Sequence, residues 1–340
     1  MNYYLIILLI ICCIGVKIRL FQPDYMSIPK TTAIKGLFAV LIFLSHARQH
    51  CQFTYDEATK VLVLLGQMVV VMFLFYSGFG IMKQYEKRGE SYLVSFLKNR
   101  VLKLLVHFDL AVLIFLIVQT FLGNRFSAVE YIFCWIAWFP VGNSCWFIFV
   151  ILVLYLLVYL SLSANAKYYV SKPLSILLLC LSSVVLWLIL RYFKQGEPWW
   201  YNTIIAFPLG AVYSLVQDKF DGFHNKRPWL FLLSVILCTA LWYLLRKTIG
   251  IDPYGLAALV FALAVVGGSS VLSIDNCVLR WLGNNCFQIY ILQRLPLIVL
   301  EHFGLNSQPT LFFCLSFVIT LLLAFGFHKF TDRIDGVLFK

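Results

Sequence analysis

Stretches of about 20 mostly apolar residues recur along the chain, at roughly 2–20, 33–50, 61–82, 101–122, 145–163, 173–192, 199–216, 229–246, 253–272, 283–301 and 310–329. Each is close to the length an α-helix needs to cross the ~30 Å hydrocarbon core of a bilayer. Lipid leaves the backbone little choice, because every N–H and C=O must be paired within the protein. The expected fold class is therefore all-α: a polytopic membrane helical bundle with eleven candidate spans. A soluble globule is excluded. Only 12% of the 340 residues are charged, against about 25% in an average soluble domain, and so few charges cannot clothe a core of this size.

The net charge of +12 does not mark a nucleic-acid binder, because the basic residues are dispersed between apolar runs rather than gathered in one patch. Nor do ten cysteines make a disulfide framework or a metal site. Most lie inside apolar stretches (Cys12, Cys13, Cys180, Cys238, Cys314) and no CxxC pair occurs; they read as small buried hydrophobes.

Lys and Arg on alternate connecting segments set the orientation. Nineteen fall on one side, among them Lys17, Arg19, Lys83, Lys87, Arg88, Lys98, Arg100 and Lys103; seven fall on the other, among them Arg48, Arg125 and Lys194. The positive-inside rule makes the richer side cytoplasmic, with the amino terminus outside and the carboxyl terminus inside; the expected location is the plasma (inner) membrane. The first apolar run has no basic residue before it, whereas Lys17 and Arg19 follow it. It reads as a reversed anchor rather than a cleaved signal. Residues 1–30 then form an amino-terminal anchor and loop, and 31–340 one membrane domain. Small residues within spans, Ser77-Gly78 and Gly267-Gly268-Ser269-Ser270, would let helices approach closely.

Ionisable residues within spans are the informative ones, because lipid makes them costly unless they face a cavity or a partner. Lys35 and His46 are eleven residues apart, about 1100° of helical rotation and about 16.5 Å of rise. They share one face, giving a polar stripe from the cytoplasmic edge to the outer half of the membrane. Imidazole exchanges protons near neutral pH, which makes His46 a candidate general base. The same spacing also suits a lysine that snorkels to headgroups and a histidine that merely ends a helix. Arg100 and Lys103, on one face of the next basic segment, suit phosphates as well as ordinary membrane anchoring. His107, Asp109, Gln293 and Arg294 complete the polar set.

These residues resemble the acyltransferase 3 family of integral membrane acyltransferases. The family's early-span pattern, a basic residue and a His with ten residues between them, is similar to Lys35-x10-His46 in IKGLFAVLIFLSH. A Ser-Gly-Phe element is similar to Ser77-Gly78-Phe79, a basic helix start to Arg100-Val-Leu-Lys103, and a Trp-Phe segment to Cys145-Trp146-Phe147 with Tyr155. Pro208-Leu-Gly210 and Trp281-Leu-Gly283 through Tyr290 follow in the family's order over about 31–329. Lys35 stands where Arg is usual, Gln293 where many members have His, and Cys286 where Ser is frequent.

The resemblance implies ten core helices plus one amino-terminal helix. It implies transfer of an acyl group, most simply acetyl, from cytoplasmic acyl-CoA (acetyl-CoA as donor) to a hydroxyl of an envelope glycan or lipid-linked sugar, that is, O-acetylation of a cell-envelope polysaccharide. Lys35, Arg100 and Lys103 would hold the donor, His46 with Lys35 would form the catalytic stripe, and Trp146 would meet the acceptor; Arg294, inside its span, must point inward either for packing or for contact with the acceptor. No metal is implied, and direct transfer needs no acyl-enzyme, although Ser77 and Cys286 are nucleophiles to weigh. The rival is a transporter or flippase using the same stripe as a pathway; against it, inverted repeats are missing and Asp109 is the lone acidic relay candidate.

Overall fold

The computed structural model describes residues 2–51, 60, 65–168, 171–248 and 254–339. Among them nearly every regular element is a helix, as apolar runs in lipid require. In chain order these are α1 (Asn2–Cys13), α2 (Ile28–His50), α3 (Met68–Arg88), α4 (Ser91–Val94), α5 (Lys103–Phe121), α6 (Ala128–Phe133), α7 (Trp146–Tyr168), α8 (Lys172–Phe193), α9 (Ala206–Lys226), α10 (Pro228–Thr248), α11 (Tyr254–Val271), α12 (Cys277–Asn284), α13 (Cys286–Leu292), α14 (Arg294–His302) and α15 (Pro309–Leu338). A π-helical turn, Leu97–Leu102, precedes α5, and a short antiparallel pair joins β1 (Lys17–Ile18) to β2 (Leu272–Ser273).

Six of the described helices are long and apolar enough to cross a membrane: α2, α3, α5 with its π-helical start, α7, α8 and α15. α9 and α10 pass that test only together and are bent by 115° at their junction, which brings the total to as many as seven. The difference from eleven apolar runs has local causes. α1 has 12 residues, about 18 Å, because the chain turns at Gly15 (φ 73°) and then pairs with β2. The run at 283–301 is broken at Asn285 and Gln293 into α12, α13 and α14. The start of the run at 61–82 lies outside the described residues, which resume continuously at 65.

Two crossings without side-chain spacers hold the bundle together. At the first, a Cβ on Gly36 of α2 would strike the Leu279 carbonyl of α12, and one on Gly283 would strike the Thr32 carbonyl. At the second, Gly78 of α3 lies against the Phe207 carbonyl of α9, and Gly210 lies against the Phe75 carbonyl. Helices whose backbones touch in this way gain dispersion along the whole crossing, the main source of helix association where water does not drive it.

The two ends of the bundle are tied by polar contacts. At one end Tyr25 bonds to Tyr213 and to Asp221 (2.7 Å), Tyr85 to Asn165 (2.6 Å), and Lys103 pairs with Asp335 (2.6 Å). There too Lys30 reaches Asp24 at 2.6 Å, which holds that exposed carboxyl below its ordinary pKa. At the other end His50 pairs with Glu301 (2.6 Å), Gln67 donates to the Trp199 carbonyl (2.7 Å), and Asn306 donates to the His50 carbonyl (3.2 Å). Lys17, Arg19, Lys83, Lys87, Arg88 and Lys98 belong to the first, basic end. α1 packs into the same body: the Tyr4 ring lies on Phe313, and Asn276 donates to the carbonyls of Ile11 (3.0 Å) and Ile14 (3.3 Å).

Candidate active site

α2 begins at the basic end and carries its ionisable residues toward the other, where a cavity of about 580 Å³ opens. His46, Arg48, Ser144, Trp146, Tyr290 and Arg294 all line it, with Glu197, Trp199 and Trp200 on the opposite wall. Each side chain is placed by identifiable local structure. The segment before α7 turns through Gly142 (φ 101°), packed against Gln119, whose amide donates to the Val141 carbonyl at 3.3 Å. Asn143 accepts the Val141 N–H at 3.1 Å. The Tyr290 hydroxyl donates to the Ser144 carbonyl at 2.8 Å, tying this segment to α13. As a result the Ser144 hydroxyl lies 3.5 Å from Nε2 of His46.

The opposite wall is an aromatic stack. Trp200 packs on Trp138 and Phe149, and Lys194 lies over the rings of Trp138 (4.5 Å) and Trp200 (4.3 Å). Glu197 accepts from the Trp200 indole at 2.9 Å and faces Lys194 at 3.7 Å. Three buried nitrogens around the cavity lack a hydrogen-bond partner among the described residues: Nδ1 of His46, Nε of Arg48 and Nε of Arg294. Buried polar atoms are normally paired, so such a concentration of unpaired ones marks a place built for something other than packing.

Below the cavity a narrower apolar one, about 70 Å³, shares Ile42, Val70 and Tyr290 with it and adds Ala39, Phe73, Phe147, Cys286, Phe287 and Gln293. Residues 35, 39, 42 and 46 fall on one helical face. Ala39, Ile42 and His46 of that face line the two cavities in succession, and half-buried Lys35 lies beyond them toward the basic end. Gln293 closes the narrow part, fully buried at the break between α13 and α14, with its Oε1 unpaired among the described residues.

A family model described as an acyltransferase domain, that of acyltransferase 3, matches residues 31–329. The chain belongs to the acyltransferase 3 family. No curated protein and no solved structure matches it. As a member of that family, with several long apolar helices, the protein is a multi-pass membrane acyltransferase.

Within this acyltransferase the structure brings three of the expected residues, His46, Trp146 and Arg294, to one cavity. Lys35, Arg100 and Lys103 lie toward the opposite end. Arg100 is exposed on the π-helical turn, and Lys103 is paired with Asp335, which also holds His107 at 2.9 Å. Ser77 bonds to the Tyr155 hydroxyl at 2.9 Å, away from His46. Sequence reasoning grouped Arg48 with His46 only as helix-end polarity, and it missed Ser144 and the Glu197–Trp200 wall. The available signals were faint: a Ser just before the Cys-Trp-Phe segment, and a Glu-Pro-Trp-Trp run between two spans.

Proposed function

We propose that the protein transfers an acetyl group from acetyl-CoA, presented at the basic end, to a hydroxyl of a cell-envelope glycan or lipid-linked saccharide in the His46 cavity, with His46 as general base. The observation that carries this reading is the meeting of His46 with Arg294 and Trp146 at one cavity, on the same helical face as Lys35. The basic end would be cytoplasmic, in the plasma membrane, with ten crossings built from α2 to α15 and α1 as an added amino-terminal helix.

The chemistry follows from the groups present. The acceptor O–H gives its proton to Nε2 of His46 as its oxygen bonds to the thioester carbon. The Arg294 guanidinium, whose buried Nε has no partner among the described residues, supplies positive charge for the carbonyl oxygen as it becomes negative. The C–S bond then breaks, and the CoA sulfur leaves with the electron pair and takes the proton from the imidazolium. Before the acceptor arrives the Ser144 hydroxyl holds Nε2 toward the cavity, and the acceptor hydroxyl then takes its place at that nitrogen. Trp146, Trp199 and Trp200 offer flat apolar faces suited to a sugar ring. At the donor end Lys35, Arg100 and Lys103 would meet phosphates, with Lys103 exchanging Asp335 for them, and Gln293 Oε1 would accept an amide N–H of the pantetheine arm. The test is transfer of labelled acetyl from acetyl-CoA to envelope saccharides by purified, reconstituted protein. Net solute flux without acyl transfer would favour a transporter instead.

A further inference from the structure

A third cavity, about 510 Å³, opens sideways between α8, α9 and α11. Val184, Val212 and Leu256 at its mouth are exposed apolar residues, so in a membrane-spanning chain it opens to hydrocarbon. Along α8 its lining runs from Cys180 to Arg191, eleven residues or about 16.5 Å, close to half of a ~30 Å hydrocarbon core. Its apolar length therefore matches one leaflet, on the side of the His46 cavity. At that end the lining turns polar: Arg191 stacks on Trp187 (4.9 Å), and Tyr201 and Asn202 are buried beside it. Trp199 and Trp200 line the His46 cavity, and the next two residues, Tyr201 and Asn202, line this groove. One turn of chain is all that separates them.

We infer that the groove holds the hydrocarbon chain of a lipid-linked acceptor, with the phosphate that joins chain to saccharide at Arg191 and the saccharide reaching past the Trp199–Trp200 turn to His46. This rests on the His46 cavity being the acceptor site, and it selects a lipid-linked saccharide over a free glycan. Ordinary phospholipid would fill an apolar slot equally well, but it gives no reason for the slot to end at the wall of the reaction cavity beside a guanidinium suited to phosphate.

The experiment uses the full chain in phosphatidylglycerol vesicles with a diazirine-bearing polyprenyl diphosphate, and a diazirine-bearing phosphatidylglycerol as the comparison probe. The polyprenyl probe should label α8 and α9 peptides selectively. Val184→Trp and Val212→Trp, each filling the groove from an exposed position, should lower that labelling about tenfold, and Arg191→Gln by a similar factor, as loss of a charge-assisted contact predicts. His46→Ala should leave it intact. Equal labelling of these peptides by the phosphatidylglycerol probe, or labelling indifferent to both Trp variants, would overturn the inference. Acetyl-CoA turnover in the same vesicles separates the two claims. Turnover without selective labelling removes the groove alone; selective labelling without turnover upholds a lipid site and removes the transferase reading.

Discussion

At the scale of single residues, the imidazole of His46 has one nitrogen 3.5 Å from Ser144 and the other buried without a partner among the described residues. Among the described residues no carboxylate is hydrogen-bonded to the ring, and the Ser144 hydroxyl is the group that meets it. Ser144→Ala should therefore lower kcat about tenfold, the scale of one positioning hydrogen bond, while the KM for acetyl-CoA stays unchanged. Steady-state kinetics on the reconstituted protein decide this, and a raised donor KM with unaltered kcat would contradict it. At the other end of the stripe, Lys35→Arg keeps the charge and should keep most activity, whereas Lys35→Ala should raise the donor KM with little change in the pH profile. Equal loss in both variants would detach Lys35 from the donor. His46, Arg294 and Trp146 were legible in the sequence because an ionisable residue inside an apolar run, or a motif beside one, stands out. Ser144 was not, since a serine in a connecting segment is ordinary and only the fold brings it within reach of residue 46. Lys103 was legible as a charge but not as a paired one, because its partner Asp335 lies 232 residues away.

At the scale of elements, the two glycine crossings set which helices can line the cavity. α12 lies directly on the basic half of α2, and α13 and α14 continue from it to carry Tyr290 and Arg294 to the level of His46. Gly283→Ala should cost about 1–3 kcal/mol, the usual penalty of forcing volume into a closed contact, because its Cβ meets the Thr32 carbonyl. Gly80→Ala is the control: nothing lies within 4 Å of a Cβ there, so it should be neutral or stabilise by about 0.5–1 kcal/mol through helix propensity. Thermal unfolding in detergent measures both, and an undiminished Tm for Gly283→Ala would remove the crossing as a fixed point. The apolar runs gave away the long helices, since twenty such residues have few other fates. They concealed the breaks at Asn285 and Gln293 and the short α1, because hydropathy does not distinguish a helix buried against its neighbour from one facing lipid.

For the whole molecule, the bundle separates a basic end from a cavity end, and the proposed chemistry needs that separation to coincide with the two sides of the membrane. In a cysteine-depleted background, single cysteines beside Arg125 and Lys194 should react with an impermeant reagent from outside, and those beside Lys87 and Lys226 should not. The opposite pattern would reverse the direction of transfer. Whether His46 takes the acceptor's proton is decided by turnover of labelled acetyl-CoA in stably folded His46→Ala protein. Transfer should fall by roughly 10²–10⁴-fold, the usual contribution of a positioned general base, with acetyl-CoA binding retained; an unaltered rate would exclude His46 as the base.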